Sequence, residues 1–324
     1  MAIVPIDVLP ALSLRMLELS HTDLAYPDCQ TSTAKALVDL LIKNPSAPLP
    51  FEVVFVAGLE SVDAEAAATK GLDTELAKQV SSVLVCCRYL GGSRGLSCYP
   101  FCSAQSCPNL VRSLASWAFS ATPQTPQQAA FSEQNCSVTL CCFQRSFFPF
   151  LSSIPCHPRG ESPCHLLRFS GTLSQLSYSP DSLAADVENP LLPISVGPLT
   201  LDHAPLIDSM WTYHAPHTLP IMQHIIASGN SCAVFVDGKP VSWVLRTAYG
   251  SIGMLHTLKD FRRRGYASVV VRGLASRIIQ DGGVPFCHIV EGNASSLALF
   301  RGIGFEEPYP CERFDWYHLS RPAS

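Results

Sequence analysis

The chain is poor in charge. Only 15% of its 324 residues are Asp, Glu, Lys or Arg, and no lysine occurs between Lys78 and Lys239. The formal net charge is −4, with 22 basic against 26 acidic side chains. A balance of that sign excludes a general nucleic-acid binder, which needs many cations to displace counterions. No uninterrupted apolar run approaches the roughly 18 residues of a membrane span, so none is expected. The opening Met1-Ala-Ile-Val-Pro-Ile-Asp has no basic n-region, and it lacks the Arg-rich, acid-poor look of a transit peptide, so it reads as neither kind of leader. What is present is apolar: 47% of residues are hydrophobic, enough to build a core rather than a disordered chain. The length permits two domains of ordinary size.

Cysteine is abundant. Of 14, ten fall between Cys86 and Cys164. Without a secretory signal a disulfide framework is disfavoured. Cys98, Cys102 and Cys107, or Cys156-His157 with Cys164-His165, do not form two Cys-x-x-Cys pairs, so no metal is expected and the thiols are read as reduced.

The stretch around which the rest is organised is His256 to Ser268. A strand end, Met254 to Leu258, runs into Arg262-Arg263-Arg264-Gly265. A helix follows from Tyr266 to Gln280, with Tyr266, Val270, Leu274 and Ile278 in one stripe. Asp281-Gly282-Gly283 stops it. The first turn of a helix has unpaired N–H groups and a partial positive charge. Gly265 and Ala267 leave that backbone bare, and guanidinium groups add charge that never titrates near neutral pH. Together they predict an anion cradle suited to a pyrophosphate. A solvated basic loop is the bland alternative.

Downstream, 284–290 reads as a short buried strand. Asn293 then caps a helix that closes at Gly304-Phe305. Upstream of the cradle, Val196 to Leu201 reads as a strand, and Asp202 as the cap of a helix through Trp211. Thr218 is expected to cap a second helix bearing Ile221, Met222, Ile225 and Ile226. Residues 232–236, Asp237-Gly238 and 241–248 form a hairpin. Tyr249-Gly250 turns into a strand at 252–258, and 309–319 closes the sheet. The sequence therefore predicts an α/β (α+β) C-terminal domain over 196–324, a mixed, mostly antiparallel sheet with helices on both faces.

The first 195 residues are read as a separate domain. Helices are expected at 9–19, 33–42 and 73–80, and strands at 51–57 and 82–87. Residues 91–170 are rich in Ser, Cys, Pro and Phe, and phrases such as Cys141-Cys-Phe-Gln-Arg-Ser-Phe-Phe-Pro-Phe150 fit neither helix nor strand. Two readings stand for that segment, an irregular insertion or translated non-coding sequence.

The order strand, phosphate turn, helix, strand, Asn-capped helix and Gly-Phe resembles the GNAT acyltransferase superfamily. Within it the likeness is to the glycine N-acyltransferase (FR47-like) family, over about 195–320. It is carried by Leu199-Thr-Leu-Asp-His-Ala-Pro-Leu-Ile-Asp-Ser-Met-Trp211, Gly238-Lys-Pro-Val-Ser-Trp243, Thr257-Leu258, and His288 before Asn293. The resemblance implies a C-terminal GNAT fold and a degenerate GNAT-like N-terminal half. It implies an acyl-CoA or acetyl-CoA cosubstrate and transfer to the amine of glycine or another small amino acid. The partners implied are thus acyl-CoA and a small amine acceptor, in a mitochondrial setting. A CoA-binding pseudoenzyme and a peptide or protein N-acetyltransferase are the alternatives.

Carried onto this chain, the donor site comprises the backbone of Leu255, His256, Thr257 and Leu258, the cradle Arg262, Arg263, Arg264, Gly265, Tyr266, Ala267 and Ser268, then Asn293. Phe300 packs against pantetheine or the core. Glycine N-acyltransferases carry a Gly-Glu pair before the strand, with Glu as base; here the pair is Gly250-Ser251. Ser251 positioning a water, His256, His288 and Glu291 are the candidates for proton transfer. Phe300 stands where many superfamily members place a tyrosine that protonates the leaving thiolate.

Overall fold

A computed structural model describes residues 157–177, 193–215 and 218–307, with strands at 2–3, 51–58, 82–89, 95–102, 137–144 and 314–320. The chain forms two compact units, one of residues 1–34, 41–164 and 309–324, the other of 35–40 and 165–308.

In the first unit the described elements are strands: β1 (Ala2–Ile3), β2 (Phe51–Gly58), β3 (Ser82–Tyr89), β4 (Gly95–Cys102), β5 (Ser137–Gln144), the start of β6 (His157–Phe169), and β13 (Phe314–Ser320). β2 and β3 are the strands expected near 51–57 and 82–87, paired antiparallel from Phe51↔Tyr89 to Gly58↔Ser82. The expected helices at 9–19, 33–42 and 73–80 lie outside the described residues. Of the segment 91–170, read as irregular, the described elements are the strands β4, β5 and β6. β5 is parallel to β4 and antiparallel to β13, so it has a strand on each side.

The second unit holds the last residues of β6 and the strands β7 (Ile194–Gly197), β8 (Ser231–Val236), β9 (Lys239–Arg246), β10 (Ile252–Thr257), β11 (Phe286–Val290) and β12 (Phe305–Glu306). Their order is β6-β11-β10-β9-β8-β7, with β12 beside β6. β7–β8, β8–β9, β9–β10 and β6–β12 pair antiparallel, and β10–β11 is parallel. This is the mixed, mostly antiparallel sheet expected. The end of β6 belongs to this unit, with Leu166, Leu167 and Phe169 buried.

Among the described residues, four α-helices accompany these strands: α1 (Ala204–Ser209), α2 (Thr218–Ala227), α3 (Tyr266–Gln280) and α4 (Ala294–Ile303). α3 buries Val270, Val271, Leu274, Ala275 and Ile278 in one cluster with Cys232, Val234, Val244 and Ile252 of the sheet. Residues that alternate with these, Ala233, Trp243 and Leu245, are also buried but belong to the other face. There α2 packs on β9 and buries Ile221, Met222, Ile225 and Ile226. Helices thus cover both faces, and strands shielded on both sides read as continuous apolar runs.

Local chemistry explains most boundaries. Asp237 and Gly238 both have positive φ, 50° and 71°, the geometry of a tight hairpin between β8 and β9. Asp202 does not cap a helix. It lies inside a 3₁₀ turn, Leu201–His203, where the Thr200 amide donates to His203 Nδ1 at 3.0 Å. Thr218 is the first residue of α2, and its hydroxyl donates to the buried Asp208 at the end of α1. That carboxylate also lies 2.9 Å from His214 Nδ1, so one buried acid ties the two helices together.

Candidate functional site

The site begins with a fault in β10. Against β9 its register runs Ile252↔Arg246 and Gly253↔Leu245, then resumes at His256↔Trp243 and Thr257↔Ser242. Met254 and Leu255 therefore oppose one residue, Val244. Met254 takes φ +55°, rare for a residue with a side chain. On its other edge β10 meets β11 at Ile252↔Cys287, before the bulge. Beyond that point the backbone of 254–257 has no recorded pairing with β11, and a wedge opens between two parallel strands.

The turn that follows is pinned at several points. The Leu258 amide donates to Val241 O at 2.9 Å, and Arg262 Nε donates to Thr257 O at 3.0 Å. Arg264 lies over the Phe261 ring, 5.5 Å from its centroid. Arg263 and Gly265 both have positive φ, 66° and 77°. Gly265 is the residue before α3, and the amides of Ser268 and Val269 return to its carbonyl at 2.9 and 3.2 Å. Among the described residues, the amides of Gly265, Tyr266 and Ala267 are given no backbone acceptor. A Cβ built on Gly265 would meet nothing within 4 Å, so the space before these amides is open.

That space is a cavity of about 850 Å³. Of the expected donor residues, Leu255, His256, Thr257, Arg262, Arg263, Gly265, Tyr266, Ala267, Ser268 and Asn293 line it. Leu258, Arg264 and Phe300 do not. Leu258 packs toward the core, and Phe300 is 3% exposed, edge-on to Phe305 at 5.0 Å. Of the two roles weighed for Phe300, its burial gives the core one. Phe261, Ser295, Ser296, Ala298 and Leu299 also line the cavity and were missed. Most lie on α4, whose Asn293 cap was legible: Asn293 Oδ1 accepts from the Ser296 amide at 3.2 Å.

Among the described residues, no carboxylate lines the cavity. Its charge comes from Arg262, Arg263 and the open end of α3, all of one sign. His256 also faces it, stacked on Trp243 with ring centroids 5.1 Å apart. Burial, and then the neighbouring Arg262 guanidinium, push the His256 imidazole below its ordinary range, so it is neutral at pH 7.

The other proton-transfer candidates lie elsewhere on the sheet. Ser251, 2% exposed, sits just before β10, and its hydroxyl is 3.4 Å from His288 Nδ1 on β11. His288 is edge-on to Phe286 at 5.7 Å and tilted against Tyr249 at 6.3 Å. Burial pushes its pKa down to about 4. It is thus an uncharged imidazole throughout the neutral range. Glu291 lies in the turn after β11. The structure brings Ser251 and His288 together, and neither they nor Glu291 are among the cavity-lining residues.

Comparison with known proteins bears on this geometry. Residues 236–314, which include β10, the cradle and α4, match the FR47-like protein family. A mouse protein described as glycine N-acyltransferase-like is 27% identical over 121 residues, 37% of this chain and 40% of the relative. The match thus spans about two fifths of that relative's length. Among solved structures, a Drosophila protein superposes with a TM-score of 0.62 at 13% identity, covering 99% of this chain and 98% of its own. A tandem GNAT protein from the clavulanic acid biosynthesis pathway gives 0.56 at 12%, covering 100% and 98%. A GCN5-related N-acetyltransferase from Sphaerobacter thermophilus gives 0.52 at 13%, covering 100% and 96%. At those identities the likeness is one of fold.

Proposed function

We propose, from an FR47-like domain in a GNAT fold, that the chain is an acyl-CoA-dependent N-acyltransferase acting on the amine of glycine or another small amino acid. The observation that carries this reading is the open amino end of α3, facing an 850 Å³ cavity whose described wall has arginines and no acid. A diphosphate supplies the missing negative charge. CoA continues from its diphosphate into a linear pantetheine arm with amide groups, and the unpaired edge of β10 after the bulge offers matching donors and acceptors. Acetyl-CoA or a longer acyl-CoA fits that description, and no metal is required by the donor set.

Transfer then needs a polarised thioester carbonyl, a neutral amine and a proton for the departing thiolate. The backbone at the Met254–Leu255 bulge is the donor for the carbonyl oxygen. Ser251 and His288 form the proton-handling pair: Ser251 holds a water against the neutral His288, which takes the amine's proton through it. Glu291 stands in reserve as a second acceptor of that proton.

One observation favours a second reading. Ser251 occupies the place where the resembled family has a glutamate, and a buried imidazole with a pKa near 4 is a weak base. A CoA-binding protein with little turnover fits that chemistry, and a peptide N-terminus as acceptor fits the donor site equally. Two domains, 1–195 and 196–324, and a mitochondrial setting complete the proposal; they rest on the family resemblance.

The test is thiol release from a panel of acyl-CoAs with glycine, glutamine, other amino acids and peptide amines. Turnover with a free amino acid at millimolar concentration supports the transferase. CoA binding without turnover moves the assignment to the pseudoenzyme, and turnover with peptides alone moves it to a protein N-acetyltransferase.

A further inference from the structure

Among the described residues that line the cavity, His256 is the one imidazole. Its ring is held by stacking on Trp243, with 23° between the planes, and its strand position is set by the pairing of the two backbones. The groups around it are few. From the turn come Arg262 and Arg263, from α3 Tyr266, and from α4 the neutral Asn293, Ser295 and Ser296. β9 presents Trp243 and Ser242, the latter donating to the His256 carbonyl at 3.3 Å. α2, packed on the Trp243 face, carries His224 as its sole titratable residue. Lys259 and Asp260 lie exposed in the intervening 3₁₀ turn. Among the described residues of the cavity wall, no acid can serve as counter-charge to an imidazolium.

We infer that His256 is a proton-coupled ligand of the bound diphosphate: it is neutral while the cavity is empty and becomes charged when the anion docks beside Arg262. The inference rests on the donor reading above and adds a residue role and a linkage to it. A diphosphate brings two negative charges into a space whose fixed charges, among the described residues, are positive. The field at the imidazole then changes sign, and the ring takes a proton from solvent to pair with a phosphate oxygen. Because a proton is taken up on binding, affinity must rise as pH falls. The empty protein shows the matching starting state, an imidazole held neutral by burial and by Arg262.

The experiment is calorimetric titration of the full chain with 3′-dephospho-CoA, whose diphosphate keeps a fixed charge between about pH 6 and pH 8. Two buffers of different ionisation enthalpy report the protons exchanged. The wild-type chain is expected to take up a substantial fraction of one proton near pH 7 and to bind about fivefold more tightly at pH 6 than at pH 8. His256→Gln should lose both the proton uptake and the pH slope. The imidazole proton shifts of the wild-type chain give the same answer should that variant fold poorly: His256 should titrate higher with ligand than without. Binding with no proton uptake, or an unchanged pH slope in His256→Gln, overturns the inference and leaves the donor reading standing. No binding at any pH overturns both.

Discussion

The two ends of β10 do opposite things with polar groups. After the bulge, the chain leaves amides, guanidinium groups and one imidazole facing a cavity. Before it, Ser251 is buried against His288, an imidazole that stays neutral down to about pH 4. The first end is open and positive; the second is closed and uncharged. Recognition of an anion needs only the first. The proposed reaction places proton removal from the amine at the second, where Ser251 and His288 present a hydroxyl and a neutral imidazole. Donor binding and chemistry are thus separable along one strand, and a chain can keep the one while altering the other.

The largest effect expected from this contrast is on acid stability. His288 binds its proton at about pH 4 in the folded chain and near 6.5 when unfolded. Below 6.5 the unfolded state therefore gains protons first, and stability falls as pH drops toward 4, by about 3 kcal/mol from this residue. Chemical denaturation at pH 7 and pH 4.5 should show most of that loss, and His288→Gln should flatten it. An equal acid slope in that variant would mean the closed end is less buried than described. At the open end, Arg262→Glu or Gly265→Asp should weaken CoA binding by about tenfold or more, since each sets negative charge against a diphosphate. Titration calorimetry reads this directly, and retained melting temperature separates it from misfolding.

Smaller effects sharpen the boundary between the two ends. Asn293→Ala removes the cap of α4, worth about 1 kcal/mol, and should lower the melting temperature by a few degrees. Least of all, Ser251→Ala should lower kcat by about twofold to threefold while leaving KM for acyl-CoA unchanged, as a residue that positions water rather than taking a proton would. A loss of a hundredfold or more would promote Ser251 to a direct participant.

How far the sequence could be read follows the range of the signals. α3 was legible at both ends, because Gly265 and Asp281-Gly282-Gly283 are local and the apolar stripe between them is regular. The hairpin at Asp237-Gly238 and the Asn293 cap were legible for the same reason. Asp202 misled, since Asp, Thr and His can all satisfy the same amides, and Thr200 with His203 took the part. The strands within 91–170 were missed because they pair with segments far along the chain: β13 lies beside β5, with Ser320 opposite Ser137. At the site, the arginines and glycine of the cradle announced themselves. Ser295, Ser296 and Leu299 did not, because small and apolar residues on a helix carry no chemical signature until a cavity is seen beside them.

The most direct measurement is a CoA titration followed by backbone amide shifts on the labelled chain. Saturable movement centred on the amides of Gly265, Tyr266 and Ala267, spreading along 255–257, is what the account predicts. Shifts that leave those amides in place, or cluster on another part of the surface, would contradict it.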